Sequence, residues 1–151
     1  MGTTKGTSLK RMLVTGAALT AMMATAGVAL AGDVTVTLMG VEKASGPLYV
    51  SLQTEEQFML EEAAYGEKLD DPKAGATSVI IADVEDGDYS VSVWHDIDGD
   101  GVFDRNEYGI PLDGWAMSGD LSMQRPPTFE ETRISVKGGA ELTLDMVYAP
   151  K

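Results

Sequence analysis

Asp86-Gly87-Asp88-Tyr89-Ser90-Val91-Ser92-Val93-Trp94-His95 begins with a turn pair and then alternates without a break. Tyr89, Val91, Val93 and His95 fall on one phase, Ser90, Ser92 and Trp94 on the other. A period of two over seven residues is the mark of a strand with one face turned to a core, because successive side chains leave a pleated strand on opposite sides. The Asp-Gly pair supplies the tight turn that lets such a strand start.

Working outward from this strand, the same alternation recurs. Val34, Val36 and Leu38 alternate with Thr35 and Thr37, and Leu48, Val50 and Leu52 alternate with Tyr49, Ser51 and Gln53. Lys43-Ala44-Ser45-Gly46-Pro47 between them reads as a turn, so a hairpin is the simplest expected connection. Residues 54–65 change character: Thr54 and Gln57 have capping-box spacing, which predicts a short helix or structured loop. Ala76–Ala82 is apolar and β-branched, and Thr132–Val136 and Leu142–Tyr148 complete the series. Six or seven short strands at this spacing predict an all-β fold, an antiparallel β-sandwich.

Downstream, the Tyr89–His95 strand runs directly into Asp96-Ile97-Asp98-Gly99-Asp100-Gly101-Val102-Phe103-Asp104-Arg105-Asn106-Glu107. Asp96, Asp98, Asp100, Asp104 and Glu107 stand at positions 1, 3, 5, 9 and 12 of a calcium loop, Gly101 at the sharp turn of position 6, and Val102 at position 7, where a backbone carbonyl serves. Calcium takes six to eight hard oxygen ligands, and this spacing lets alternate carboxylates converge on one point. The loop departs from an EF-hand in following a strand rather than a helix. The plainer alternative is an acidic surface turn, but five carboxylates held together repel one another and call for a cation. His95, the single histidine, is expected to be a structural residue at the strand end that orients Asp96 through a hydrogen bond.

The N-terminal residues read as an address. Lys5, Lys10 and Arg11 precede the uncharged stretch Met12–Leu30, and Ala29-Leu30-Ala31 has the small-x-small form of a cleavage site. Residues 1–31 are therefore expected to be a signal peptide and residues 32–151 one domain, exported to the periplasm or the cell exterior without membrane insertion. Cleavage would remove three of the eleven basic residues and no acid, moving the net charge from −13 to −16. Such a surface repels nucleic acid and anionic lipid and attracts divalent cations. The chain has no cysteine, so it has neither a disulfide framework nor a lipoprotein attachment site.

Enzyme chemistry finds little to work with. One histidine and no cysteine exclude zinc sites built from two or three such ligands, and no Gly-x-Ser-x-Gly elbow accompanies His95. The Gly99-Asp100-Gly101 run is followed by an acid that would repel phosphate. Residues 108–129 form a long irregular stretch stiffened by Pro111, Pro126 and Pro127 and anchored by Trp115, Met117, Met123 and Phe129. These are expected to cover an open end of the sandwich or to form a partner-binding lid beside the metal.

The run Val93-Trp94-His95-Asp96, the acidic loop, Tyr108-Gly109-Ile110-Pro111, Asp113-Gly114-Trp115, Ser118 and Arg125-Pro126-Pro127-Thr128-Phe129 resembles the DUF2141 family. The resemblance extends from about Asp33 to Tyr148 and implies a small exported bacterial protein with a sandwich of immunoglobulin or transthyretin-like type, but no activity. The expected function is a non-catalytic exported protein whose calcium loop orders a binding surface for envelope polysaccharide or another protein. A small-molecule carrier with its lid at 108–129, and a carboxylate-based calcium-dependent hydrolase, are the alternatives.

Overall fold

A computed structural model describes residues 30–42, 46–122 and 125–150. The expected signal peptide up to residue 29, residues 43–45 of the expected turn, and Met123 lie outside the described residues. Eight strands occupy the described chain: β1 (Ala31–Val41), β2 (Leu48–Gln53), β3 (Tyr65–Leu69), β4 (Gly75–Glu85), β5 (Gly87–His95), β6 (Gly114–Met117), β7 (Arg133–Val136) and β8 (Ala140–Asp145). They form two sheets, one ordered β4-β1-β8 and the other β3-β2-β5, with β6 and β7 sharing the free edge of β5.

The two sheets pack their alternating faces together. Val34, Val36 and Leu38 of β1 meet Leu48 and Leu52 of β2 and Val91 of β5, all with no measurable exposure, in one core cluster. Each buried aliphatic side chain of this size contributes about 1.5–3 kcal/mol. His95 continues the inward phase of β5 and is also fully buried.

The expected hairpin between the first two strands does not form. β1 is the middle strand of its own sheet, antiparallel to β4 and parallel to β8, while β2 pairs with β3 and β5 in the other. Alternation determines which face of a strand is buried, not which strand lies beside it, and two half-apolar strands bury their faces as well across a sandwich as within one sheet. The β1–β8 pairing also makes one contact of an otherwise antiparallel fold parallel.

Of the expected stretch 54–65, residues 54–64 are a structured loop with one 3-10 turn, Glu55–Gln57, in which Gln57 Oε1 accepts the Thr54 amide at 3.2 Å, and Tyr65 opens β3. The stretch 108–129 is less irregular than its length predicts, since β6 lies within it, pairing Trp115 with Trp94 and Ala116 with Val93. A four-residue helix, α1 (Phe129–Thr132), follows. Phe129 packs edge-on against Phe58 with ring centroids 5.8 Å apart, and α1 and the 3-10 turn lie over β5, where Ser90 on the outer phase is buried. No helix among the described residues is long and apolar enough to cross a membrane.

Candidate functional site: an acidic loop beside an aromatic groove

The acidic loop starts where β5 ends. The Asp96 amide donates to the Pro47 carbonyl at 3.0 Å, which ties the start of the loop to the segment leading into β2. Asp96 is 1% exposed, and both its carboxylate oxygens are used: Oδ1 accepts the Gly99 amide at 2.8 Å and Oδ2 the Gly101 amide at 3.0 Å. Asp98 Oδ1 then accepts the Asp100 amide at 3.2 Å, and Asp100 Oδ1 the Val102 amide at 2.8 Å. These are short-range Asx contacts, and they close because Gly99 and Gly101 adopt φ of 79° and 80°, where a side chain would be strained.

A buried carboxylate that sequence reasoning passed over completes the arrangement. Asp113, 1% exposed, accepts the Ile97 amide on Oδ1 at 3.2 Å, and on Oδ2 both the Trp94 indole N–H at 2.8 Å and the Asp104 amide at 3.1 Å. In the sequence it looks like half of an Asp-Gly turn; the β5–β6 pairing and the Leu112 amide bond to the Asp104 carbonyl bring it back beside the loop.

Carboxylate oxygens of Asp96, Asp98 and Asp113 lie within 4.8 Å of one another, as do those of Asp98, Asp100 and Asp104, so Asp98 joins two groups that could each hold a cation. Four of the five expected acids are thus brought together. Glu107 is in neither group and stands exposed in the turn after Arg105. Val102 exposes its side chain and donates its amide to Asp100. Burial, and then the charges of Asp100, Asp98, Asp113 and Asp96, raise the Asp104 carboxyl above its ordinary range.

His95 does not orient Asp96. Its Nδ1 pairs with the Tyr148 hydroxyl at 2.7 Å, while backbone amides occupy the Asp96 oxygens. Strand alternation is the reason, since it sends His95 into the interior toward the C-terminal segment. Burial holds the imidazole below its ordinary range, against the opposing pull of the Gly46 backbone, Asp113 and Asp96.

The loop forms one wall of a groove of about 530 Å³ on the outer face of the five-stranded sheet. Its floor is the outward phase of three strands, chiefly Tyr49, Trp94, Trp115 and Met117. Tyr49 and Trp94 stack at 4.8 Å, and Phe103 from the loop meets Trp94 edge-on at 6.1 Å. Arg105 lies 4.7 Å above the Phe103 ring and donates to the Gly109 carbonyl at 3.0 Å. The opposite wall carries Arg125, Pro126 and Pro127. Of the expected lid residues, Trp115 and Met117 thus line the groove as floor, and Phe129 packs on Phe58 outside its lining.

Arg125 is held by a bidentate pair with Glu131, whose Oε2 also accepts the Thr128 amide at 3.0 Å. The Arg125 hydrogen bonds, then those from Thr128, lower the Glu131 carboxyl from 4.5 to about 2. A depressed folded-state pKa means that the pair's stabilisation is fully present above 4.5 and disappears as pH falls through about 2. Urea unfolding of the wild type and Glu131→Gln should therefore differ at pH 6 and converge at pH 2; a gap that persists at pH 2 would refute this account.

No curated protein and no solved structure matches the chain. Residues 36–143 match DUF2141, a family described as an uncharacterized protein conserved in bacteria. From the strand pattern, the acidic loop and the aromatic groove, together with a match over most of its length, the chain is a member of the DUF2141 family.

Proposed function

We propose that this chain is an exported, non-catalytic binding protein in which calcium, held by the acidic loop, fixes one wall of the aromatic groove as a recognition surface. The observation that carries the reading is Asp113. One buried carboxylate accepts from two loop amides and from the indole of the groove's central tryptophan, so the order of the loop and the shape of the groove depend on a single side chain. Calcium is supported by an all-oxygen donor set, Asp96, Asp98, Asp100, Asp104 and Asp113, around a glycine turn. A hydrolase draws less support, since glycoside cleavage uses two carboxylates across a cleft and Glu61 is the one carboxylate among the described residues that line the groove.

Thermal unfolding of the purified protein with calcium, with magnesium and with a chelator tests the metal. Calcium at one hundred times its dissociation constant should add about 2.7 kcal/mol if it binds only the folded state. Asp98→Ala, which removes the carboxylate common to both groups, should abolish that gain. Magnesium should add less, because it demands near-octahedral geometry and dehydrates reluctantly. Identical melting in all three conditions would reduce the loop to an acidic turn. A mature N-terminus at Gly32, read by intact mass, tests export.

A further inference from the structure

We infer that the groove takes a small amphipathic carboxylate, with its apolar body on the Trp94–Trp115–Met117 floor and its anionic head on the Arg105 guanidinium. The inference rests on the groove being the recognition surface proposed above, and it names the ligand class.

Charge is the first ground. The chain carries a net −13, yet among the described residues that line the groove two arginines, Arg105 and Arg125, stand against one carboxylate, Glu61. A guanidinium held beside an apolar floor marks a place where an anion is received rather than repelled. Arg125 is already neutralised by its bidentate pair with Glu131, and Glu131 accepts further bonds that keep it in place. Arg105 makes no ion pair among the described residues. It meets a carbonyl of its own turn and the face of Phe103, which leave guanidinium N–H groups to donate and hold the plane steady.

Shape and lining set the body of the ligand. A groove of about 530 Å³ lies within the range of small-molecule sites, and nine of its twenty described lining residues are aromatic, proline or methionine. A sugar would need a flat, free aromatic face. Trp94 does not provide one, because Tyr49 is stacked against it and Phe103 abuts it. Ring edges, prolines and Met117 instead suit a flexible or aromatic apolar body that slots between walls.

Both tryptophans of the chain line this groove, so intrinsic fluorescence reports its occupancy directly. The probes are 4-phenylbutanoate and its neutral amide, titrated in saturating calcium and in chelator, with maltoheptaose as a glycan control. The carboxylate should change tryptophan emission saturably and bind at least about tenfold more tightly than the amide, as a charge-assisted bidentate contact requires. Arg105→Gln should bring the two probes to equal affinity with only a small drop in melting temperature from the lost Gly109 and Phe103 contacts, and Met117→Ala should weaken both. Equal affinity of acid and amide in the wild type, or tight binding of maltoheptaose with no response to either probe, would overturn the assignment. Carboxylate preference that is the same in chelator as in calcium would uphold the ligand class while removing calcium from the groove's assembly.

Discussion

Asp113→Ala should lower stability by about 3–5 kcal/mol, because it leaves three partly buried donors without their acceptor at the same time. The Trp94 indole and the amides of Ile97 and Asp104 all end on this carboxylate, and Asp113 itself is 1% exposed, so water has little room to replace it. Hydrogen bonds to a charged group contribute about 1.5–3 kcal/mol each, more than neutral ones. Against this loss stands the relief of repulsion from Asp96 and Asp98, whose oxygens lie within 4.8 Å. The lost bonds win because three donors lose one acceptor at once, whereas Asp98 is exposed and screened by solvent and the Asp96 carboxylate is already met by the Gly99 and Gly101 amides. For a domain of this size the melting temperature should drop by roughly 12–20 °C.

The conservative change separates hydrogen bonding from charge. Asp113→Asn keeps one carbonyl oxygen, which can still take Trp94 and Asp104 on the Oδ2 side while the Ile97 amide faces an NH2 group. It should lose about 1–2 kcal/mol. It should also lose part of the calcium response, since one formal charge has left the Asp96–Asp98–Asp113 group. Chemical denaturation of the three proteins with and without calcium checks both statements. An alanine variant within about 1 kcal/mol of wild type would mean that the loop and the groove are not joined through this residue.

What the sequence conveys about this fold follows from what short-range pattern can encode. β5 and the inner faces of β1 and β2 are legible because an uninterrupted period of two has one structural meaning. Partnership is not local, so the β1–β2 hairpin is a reasonable expectation that the parallel β1–β8 contact displaces. β3 is hidden by Gly66, Glu67 and Lys68, exposed residues that suit an edge strand and read as loop. β6 is hidden by its four-residue length. In the site, Asp96, Asp98, Asp100 and Asp104 are readable from spacing because the loop is contiguous. Asp113 is not, because it reaches the loop through the β5–β6 pairing. The groove is assembled from one phase of three strands and three connecting segments, and no single stretch of sequence carries it.

A large effect of a single methyl group is expected at Gly46. A Cβ built there lies 1.7 Å from the Asp96 carbonyl oxygen, 2.9 Å from its carbon and 3.0 Å from the Gly99 amide nitrogen. All three atoms are backbone, so no rotamer change can make room. Gly46→Ala must therefore push the 46–47 segment and the head of the acidic loop apart, at the point where the Asp96 amide meets the Pro47 carbonyl and Leu48 pairs with His95. The cost should exceed the usual range for overpacking, about 3–4 kcal/mol or more, and calcium affinity should fall as the Asp96 carboxylate shifts. Gly101→Ala supplies the comparison. Its Cβ would meet nothing within 4 Å, so only the φ of 80° opposes it, at about 1–2 kcal/mol. If steric contact between segment 46–47 and the loop sets the position of Asp96, the Gly46 variant melts well below the Gly101 variant; the reverse order would show that the glycine turn of the loop, and not its contact with the segment before β2, holds the site in shape.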